Sequence, residues 1–201
     1  MLFSIKNRLI PTLLLLVLFV TTSFGLRGIL GLSWDLTFGE RVVRDSGLGL
    51  AAIVTINGCL HLLFLILFGE NYLSLCRALL VHFEGQRGAH FLAAGLLAAG
   101  EEMIFRGIIL EGLLARMGLG VVSAVMISAF LFGLAHLIPH RRLAPFSLWA
   151  FWEGIFLGIL YVKTHSLSVV MLAHFVNDTC GYALFALERK TGWLLREGAN
   201  P

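Results

Sequence analysis

AHFLAAGLLAAGEEMIFRGIILEGLLAR, residues Ala89–Arg116, is the stretch on which the reading of this chain turns. Its apolar residues would carry a helix across a hydrocarbon core, which takes roughly 20 residues. Yet Glu101, Glu102 and Arg106 lie within six residues of one another inside it. An ionisable side chain near the centre of a bilayer costs about 2.5–3.5 kcal/mol on insertion scales, so three together are a functional signal unless they neutralise one another. On a helix Glu102 and Arg106 are four apart and share a face, with the acid on the favourable N-terminal side, so they can pair. Glu101 is rotated by about 100° from Glu102, which leaves it free to point elsewhere into a bundle.

The rest of the chain has the same character. Of 201 residues 58% are hydrophobic and 13% charged, and the mean hydropathy is +0.89. A soluble domain of this size needs far more polar surface than 15 Lys and Arg and 12 Asp and Glu provide. The net charge of +3 suits basic residues in loops beside anionic headgroups; they form no cluster, and no nucleic-acid partner is expected. Cys59, Cys76 and Cys180 are odd in number and widely spaced in apolar sequence, which excludes a disulfide framework and a CxxC metal knuckle.

Six spans follow from the apolar runs, at about Leu9–Leu26, Gly47–Gly69, Ala89–Arg116, Leu119–Ile138, Phe146–Val162 and Ser166–Leu187. The first is read as a retained span rather than a signal peptide ending near Ser23 and Gly25, because its apolar run is long for one. A mixed-charge loop with Asp35, Glu40, Arg41, Arg44 and Asp45 precedes the second. Tyr72–Phe83, with Arg77 and His82 among Leu and Val and Glu84 just beyond, reads as an interfacial amphipathic helix. The expected fold is an all-α polytopic bundle forming one membrane domain, 1–201, with a motif-bearing core at 89–182. Counting basic residues on alternate sides puts Lys6, Arg8, Arg77, Arg87, Arg141, Arg142, Arg189, Lys190 and Arg196 against Arg27, Arg41, Arg44, Arg116 and Lys163. That bias predicts a multi-pass protein of the cell membrane with both termini in the cytoplasm.

Two further spans carry polar clusters. The fourth ends in FLFGLAH, with Phe132 and His136, and the sixth holds AHFVND, with His174, Asn177 and Asp178. Phe132 with His136, and His174 with Asp178, are each four apart and share a helical face. Three helices can bring such clusters to one buried, hydrated pocket. A carboxylate with a histidine can hold and deprotonate a water, and a second histidine with a polar neighbour can stabilise an oxyanion. The inventory suits peptide hydrolysis without a serine or cysteine nucleophile, since there is no GxSxG and no base beside the cysteines.

Glu101-Glu102-x-x-x-Arg106, Phe132-x-x-x-His136 and His174-x-x-x-Asp178, in this order on successive spans, resemble the CPBP family of intramembrane proteases, also called the Abi or CAAX protease family. The resemblance covers about Ala89–Tyr182. It implies an endopeptidase in which Glu101 and His136 activate the water, His174 and Asp178 stabilise the oxyanion, and Glu102 and Arg106 shape the site. Many relatives have Asn where this chain has Asp178; an ionised Asp cannot donate, so Asp178 is expected to orient His174, and Asn177 could substitute if its helix turns it inward. The family has long been described as metalloproteases, and two glutamates with two histidines could ligate zinc, but no HExxH is present. A mechanism without obligatory metal or other cofactor is expected. The implied partners are the lipid bilayer and a membrane-associated protein or peptide: a CAAX-type terminus, a bacteriocin leader or a C-terminal sorting segment. The competing class is a non-catalytic immunity or scaffold protein, or a transporter using Glu101 and His136 as a proton relay; intact motifs argue against the first and the lack of inverted repeats against the second.

Several residues take plainer readings. His61, His82, His90, His140 and His165 lie near span ends or without partners and read as interfacial or packing residues. Glu111 and Glu153 lie in apolar sequence and can snorkel, pair or line a water path. Gly95, Gly100, Gly107, Gly112, Gly133, Gly154 and Gly158 read as close helix contacts rather than phosphate cradles.

Overall fold

The computed structural model describes residues 9–80, 88–137 and 144–191. Lys6, Arg8, His82, Glu84, Arg87, Ile138, His140, Arg141, Arg142 and Arg196, all used above, lie outside the described residues. Among those described there is no strand. The helices are α1 (Leu9–Leu30), α2 (Glu40–Phe68), α3 (Glu70–Leu80), α4 (Gly88–Glu102), α5 (Glu111–Ala115), α6 (Val121–Ala135), α7 (Pro145–Thr164) and α8 (Leu167–Thr191), with a π-helical stretch, Met103–Leu110, joining α4 to α5.

Among the described residues, four helices are long and apolar enough to cross a membrane: Leu9–Leu30, Glu40–Phe68, Pro145–Thr164 and Leu167–Glu188. The 15 residues of α6 form a shorter apolar helix. The surfaces of α1 and α2 suit lipid, since Ile10, Leu14, Val17, Leu18 and Ile29, and Val54, Leu62, Ile66 and Leu67, are all exposed. A helix that is apolar all round has no water-facing side to offer. Part of the expected mixed-charge loop is helical, because α2 begins at Glu40 and its first turns carry Arg41, Arg44 and Asp45.

The segment Gly88–Ala115 is helical without a break, but it is not α-helical throughout. Its π-helical stretch widens the turn, so that the Glu111 N–H reaches back five residues to the Arg106 carbonyl. Side chains from elsewhere hold neighbouring carbonyls: the Trp34 indole N–H donates to Gly107 O at 2.8 Å, and the Ser128 hydroxyl to Phe105 O at 2.8 Å. The indole approaches so closely that a Cβ on Gly107 would lie 3.0 Å from it.

α4 packs chiefly on α8, α6 on α7 and α2 on α8, while α1 covers α4 and the π-helical stretch. Glycines permit the closest approaches. A Cβ on Gly95 would come within 2.8 Å of Phe175 O across α4 and α8, and one on Gly133 within 3.0 Å of Ser147 O across α6 and α7. Gly100, Gly154 and Gly158 also sit against neighbouring helices, whereas Gly112 faces open space and is no helix contact. The main core gathers Ile53, Met103, Leu110, Val125, Leu157, Leu167 and Val170 from across these elements.

The turns cluster by end. Arg116 Nη2 donates to Gly31 O at 2.9 Å, and the Leu167 N–H at the start of α8 donates to Asp35 O at 3.0 Å. The Asp35 carboxylate accepts the Thr37 N–H and hydroxyl, which holds its pKa below the usual carboxylate value. At the other end of α2, His61 hydrogen-bonds the Tyr72 hydroxyl of α3 and lies 4.5 Å from the Trp149 ring of α7. This is the packing role expected of His61.

Candidate active site

The polar clusters of three helices meet, and the meeting is organised by Glu102. Its Oε1 accepts a hydrogen bond from Arg106 Nη1 at 2.8 Å and another from His174 Nδ1 at 2.7 Å. Glu102 and Arg106 are 0% exposed and His174 is 2%. A charge buried this deeply persists only when paired and hydrogen-bonded. Arg106 Nη2 finds a second acceptor in Gly154 O on α7 at 3.0 Å. The guanidinium carbon lies 4.7 Å from the centre of the Phe132 ring, a cation–π distance.

Phe132 in turn packs against Arg106 and against both histidine rings. Its ring centre is 4.4 Å from that of His136 and 5.7 Å from that of His174, and Phe105 packs edge-on against it at 5.0 Å. The four-residue spacing that sets Phe132 under His136 thus makes a wall of the site.

Glu101 turns away from Glu102 into a cavity of about 170 Å³, where His136 and Asp178 also face. Leu9 and Thr12 of α1, His90, Ala93 and Ala98 of α4, and Tyr182 of α8 complete much of the lining; the alanines leave the space. Glu101 Oε2 lies 3.7 Å from His136 Nε2, beyond direct hydrogen bonding. His136 Nδ1 is 2.9 Å from Phe132 O. A carbonyl can only accept, so Nδ1 carries a proton, and in the neutral imidazole Nε2 keeps its lone pair on the side of Glu101. The same argument gives His174 an Nδ1–H, since its partner is the Glu102 carboxylate.

Two placements differ from the simplest reading of the motifs. His174 is held through Nδ1 by Glu102, whereas Asp178 Oδ1 stands 3.6 Å from its Nε2; the closer orienting partner is therefore on α4. Asn177 does not line the cavity. Its Nδ2 donates to Glu153 Oε1 of α7 at 2.7 Å, with Asp178 Oδ1 farther at 3.4 Å. Glu153 brings a further carboxylate to the site, and the only signal for it in the sequence is an acid amid the apolar residues of Pro145–Thr164. Glu111 pairs instead with the Tyr161 hydroxyl at 2.9 Å.

For a metal, one atom each from Glu153, His174 and Asp178 lie within 4.8 Å of one another. These differ from the two-glutamate, two-histidine set named from the motifs, in which Glu102 Oε1 already serves Arg106 and His174.

Residues 85–180 match the family model for the type II CAAX prenyl endopeptidase, Rce1-like, which is consistent with the CPBP resemblance. No curated protein and no solved structure matches the chain.

Proposed function

We propose that this chain is an intramembrane endopeptidase that hydrolyses a peptide bond near or within the membrane, using a water activated by Glu101 and His136. The observation that carries this reading is the division of labour between adjacent acids. Glu102 is committed to Arg106 and His174 in the protein interior, while Glu101 faces a cavity together with a histidine whose Nε2 is available as an acceptor. A water in contact with Glu101 Oε2 and His136 Nε2 can lose a proton to one of them as its oxygen attacks the carbonyl carbon, and that proton then passes to the amine nitrogen as the C–N bond breaks. His174, carrying protons on both ring nitrogens between Glu102 and Asp178, would donate from Nε2 to the developing oxyanion, and Glu102 and Arg106 would hold that histidine in place. On this reading the peptide substrate is a CAAX-type terminus, a bacteriocin leader or a C-terminal sorting segment, and no metal is required.

The same reading gives the chain six crossings, with the continuous helical segment Gly88–Ala115 as the third and α6 within the fourth. It is supported by the gathering of Gly31, Asp35, Arg116 and Leu167 at one end of the bundle. Both termini are then cytoplasmic, with the cavity nearer that side, since Leu9 and His90 near the starts of α1 and α4 line it.

The test compares membrane proteomes from cells making wild-type protein and Glu101→Gln. Gln preserves the shape of the side chain but cannot take the proton, so new protein termini generated by the wild type should fall by roughly 10²- to 10⁴-fold at equal amounts of folded protein. Identical terminal profiles would end the protease reading.

A further inference from the structure

Two consecutive residues of α7 reach the polar cluster, and one of them binds α8. Gly154 supplies its carbonyl to Arg106, and Glu153 supplies its carboxylate to Asn177. Of the two α8 residues after His174 that could enter the cavity, Asp178 lines it and Asn177 does not. The hydrogen bond of 2.7 Å from Asn177 Nδ2 to Glu153 Oε1 is the contact that draws Asn177 toward α7. Adjacent residues on a helix are separated by about 100°, so anchoring Asn177 against α7 turns Asp178 toward α4, where Glu101 stands. Gly154 lets α7 pack closely on α6, for a Cβ there would meet Ala129 Cα at 3.0 Å and Phe132 at 3.3 Å.

We propose that Glu153 is a positioning residue of the site: by binding the Asn177 amide through a hydrogen bond, it sets the rotation of α8 that presents Asp178 and the His174 Nε2 to the substrate. The functional half of this inference rests on the protease reading above; the clamp itself does not. What the role demands of Glu153 is a hydrogen-bond acceptor of the right length, and Gln retains one in its amide oxygen. The charge is dispensable in this role, which separates it from metal ligation or proton transfer, where a carboxylate is needed.

Two measurements test it. In the first, purified protein and its variants cleave a prenylated CAAX reporter peptide. Glu153→Ala should lower kcat by roughly 10- to 100-fold, as expected for loss of a group that orients the reacting residues, with KM nearly unchanged. Glu153→Gln should stay within about threefold of wild type. Asn177→Ala should reproduce the Glu153→Ala defect, and the two together should be no worse than either. A Glu153→Gln defect as large as that of Glu153→Ala would overturn the clamp in favour of a charge or ligand role, and wild-type kinetics for Glu153→Ala would overturn it outright.

The second measurement needs no substrate. A thermal-melting cycle of Glu153→Ala, Asn177→Ala and the double variant should show non-additivity of at least about 2 °C, and additive shifts would overturn the clamp. If cleavage proves independent of Glu101, the protease reading fails while the melting cycle still decides the clamp. If cleavage depends on Glu101 but not on Glu153, the clamp fails alone.

Discussion

Replacing Arg106 by Met should be among the most damaging single changes in the chain. Met keeps an unbranched stem and removes the guanidinium, which now donates to Glu102 Oε1 at 2.8 Å and to Gly154 O at 3.0 Å. Stranding a fully buried partner charge costs roughly 3–5 kcal/mol. The abandoned Gly154 carbonyl adds about 1–3 kcal/mol. His174 offsets part of this, because its Nδ1–H stays on Glu102 Oε1. A net loss of about 3–5 kcal/mol corresponds to a fall in Tm of roughly 6–20 °C for a chain of this size. Tryptophan fluorescence during heating in detergent micelles provides the measurement. The decisive comparison is Glu102→Gln/Arg106→Met, in which the stranded charge is gone while an amide oxygen still accepts from His174. That pair should recover more than half of the loss. Arg106→Met melting within about 2 °C of wild type, or a double variant as unstable as the single, would refute the assignment of Arg106 as the counter-ion of Glu102.

Other expectations are more local. His136→Ala should reduce cleavage about as much as Glu101→Gln, and the double variant should lose little more, as for groups acting as a unit; multiplicative losses would show separate roles. Chelators should leave cleavage intact, whereas loss on chelation with rescue by zinc would overturn the metal-free mechanism. Ser128→Ala leaves the Phe105 carbonyl of the π-helical stretch without its hydroxyl donor and should cost about 1–3 kcal/mol in melting experiments; an unchanged Tm would show that the bond contributes nothing. Reporter fusions after Asn71, after His140 and at the C-terminus should all report the cytoplasm, and external signals at two of them would defeat the six-crossing topology. Asp35 has a pKa lowered by its hydrogen bonds from Thr37, so its stabilisation is present above the ordinary carboxylate range and is lost as pH falls through the lowered value. Asp35→Asn should therefore bring Tm toward that of wild type in acid, and a constant difference at all pH values would contradict the linkage.

The medium and the helical class were legible in the sequence because both depend on quantities that a sequence contains directly: length of apolar run and density of charge. Same-helix neighbours were legible too. Four-residue spacing put Arg106 beside Glu102 and Phe132 beside His136, and the structure places them in contact, since helical geometry alone determines which residues share a face. The rotation and sliding of one helix against another leave no such signature. Tertiary structure decided that Glu102, rather than Asp178, grips His174 at hydrogen-bond distance, that Asn177 is drawn toward Glu153, and that Glu101 is the acid left facing the cavity. It also decided the π-helical winding of Met103–Leu110, where Trp34 and Ser128, distant in sequence, donate to the backbone carbonyls of Gly107 and Phe105. The period of an α-helix could be extrapolated through that segment, but the partners that stabilise a wider turn come from other helices and loops, and only packing brings them there.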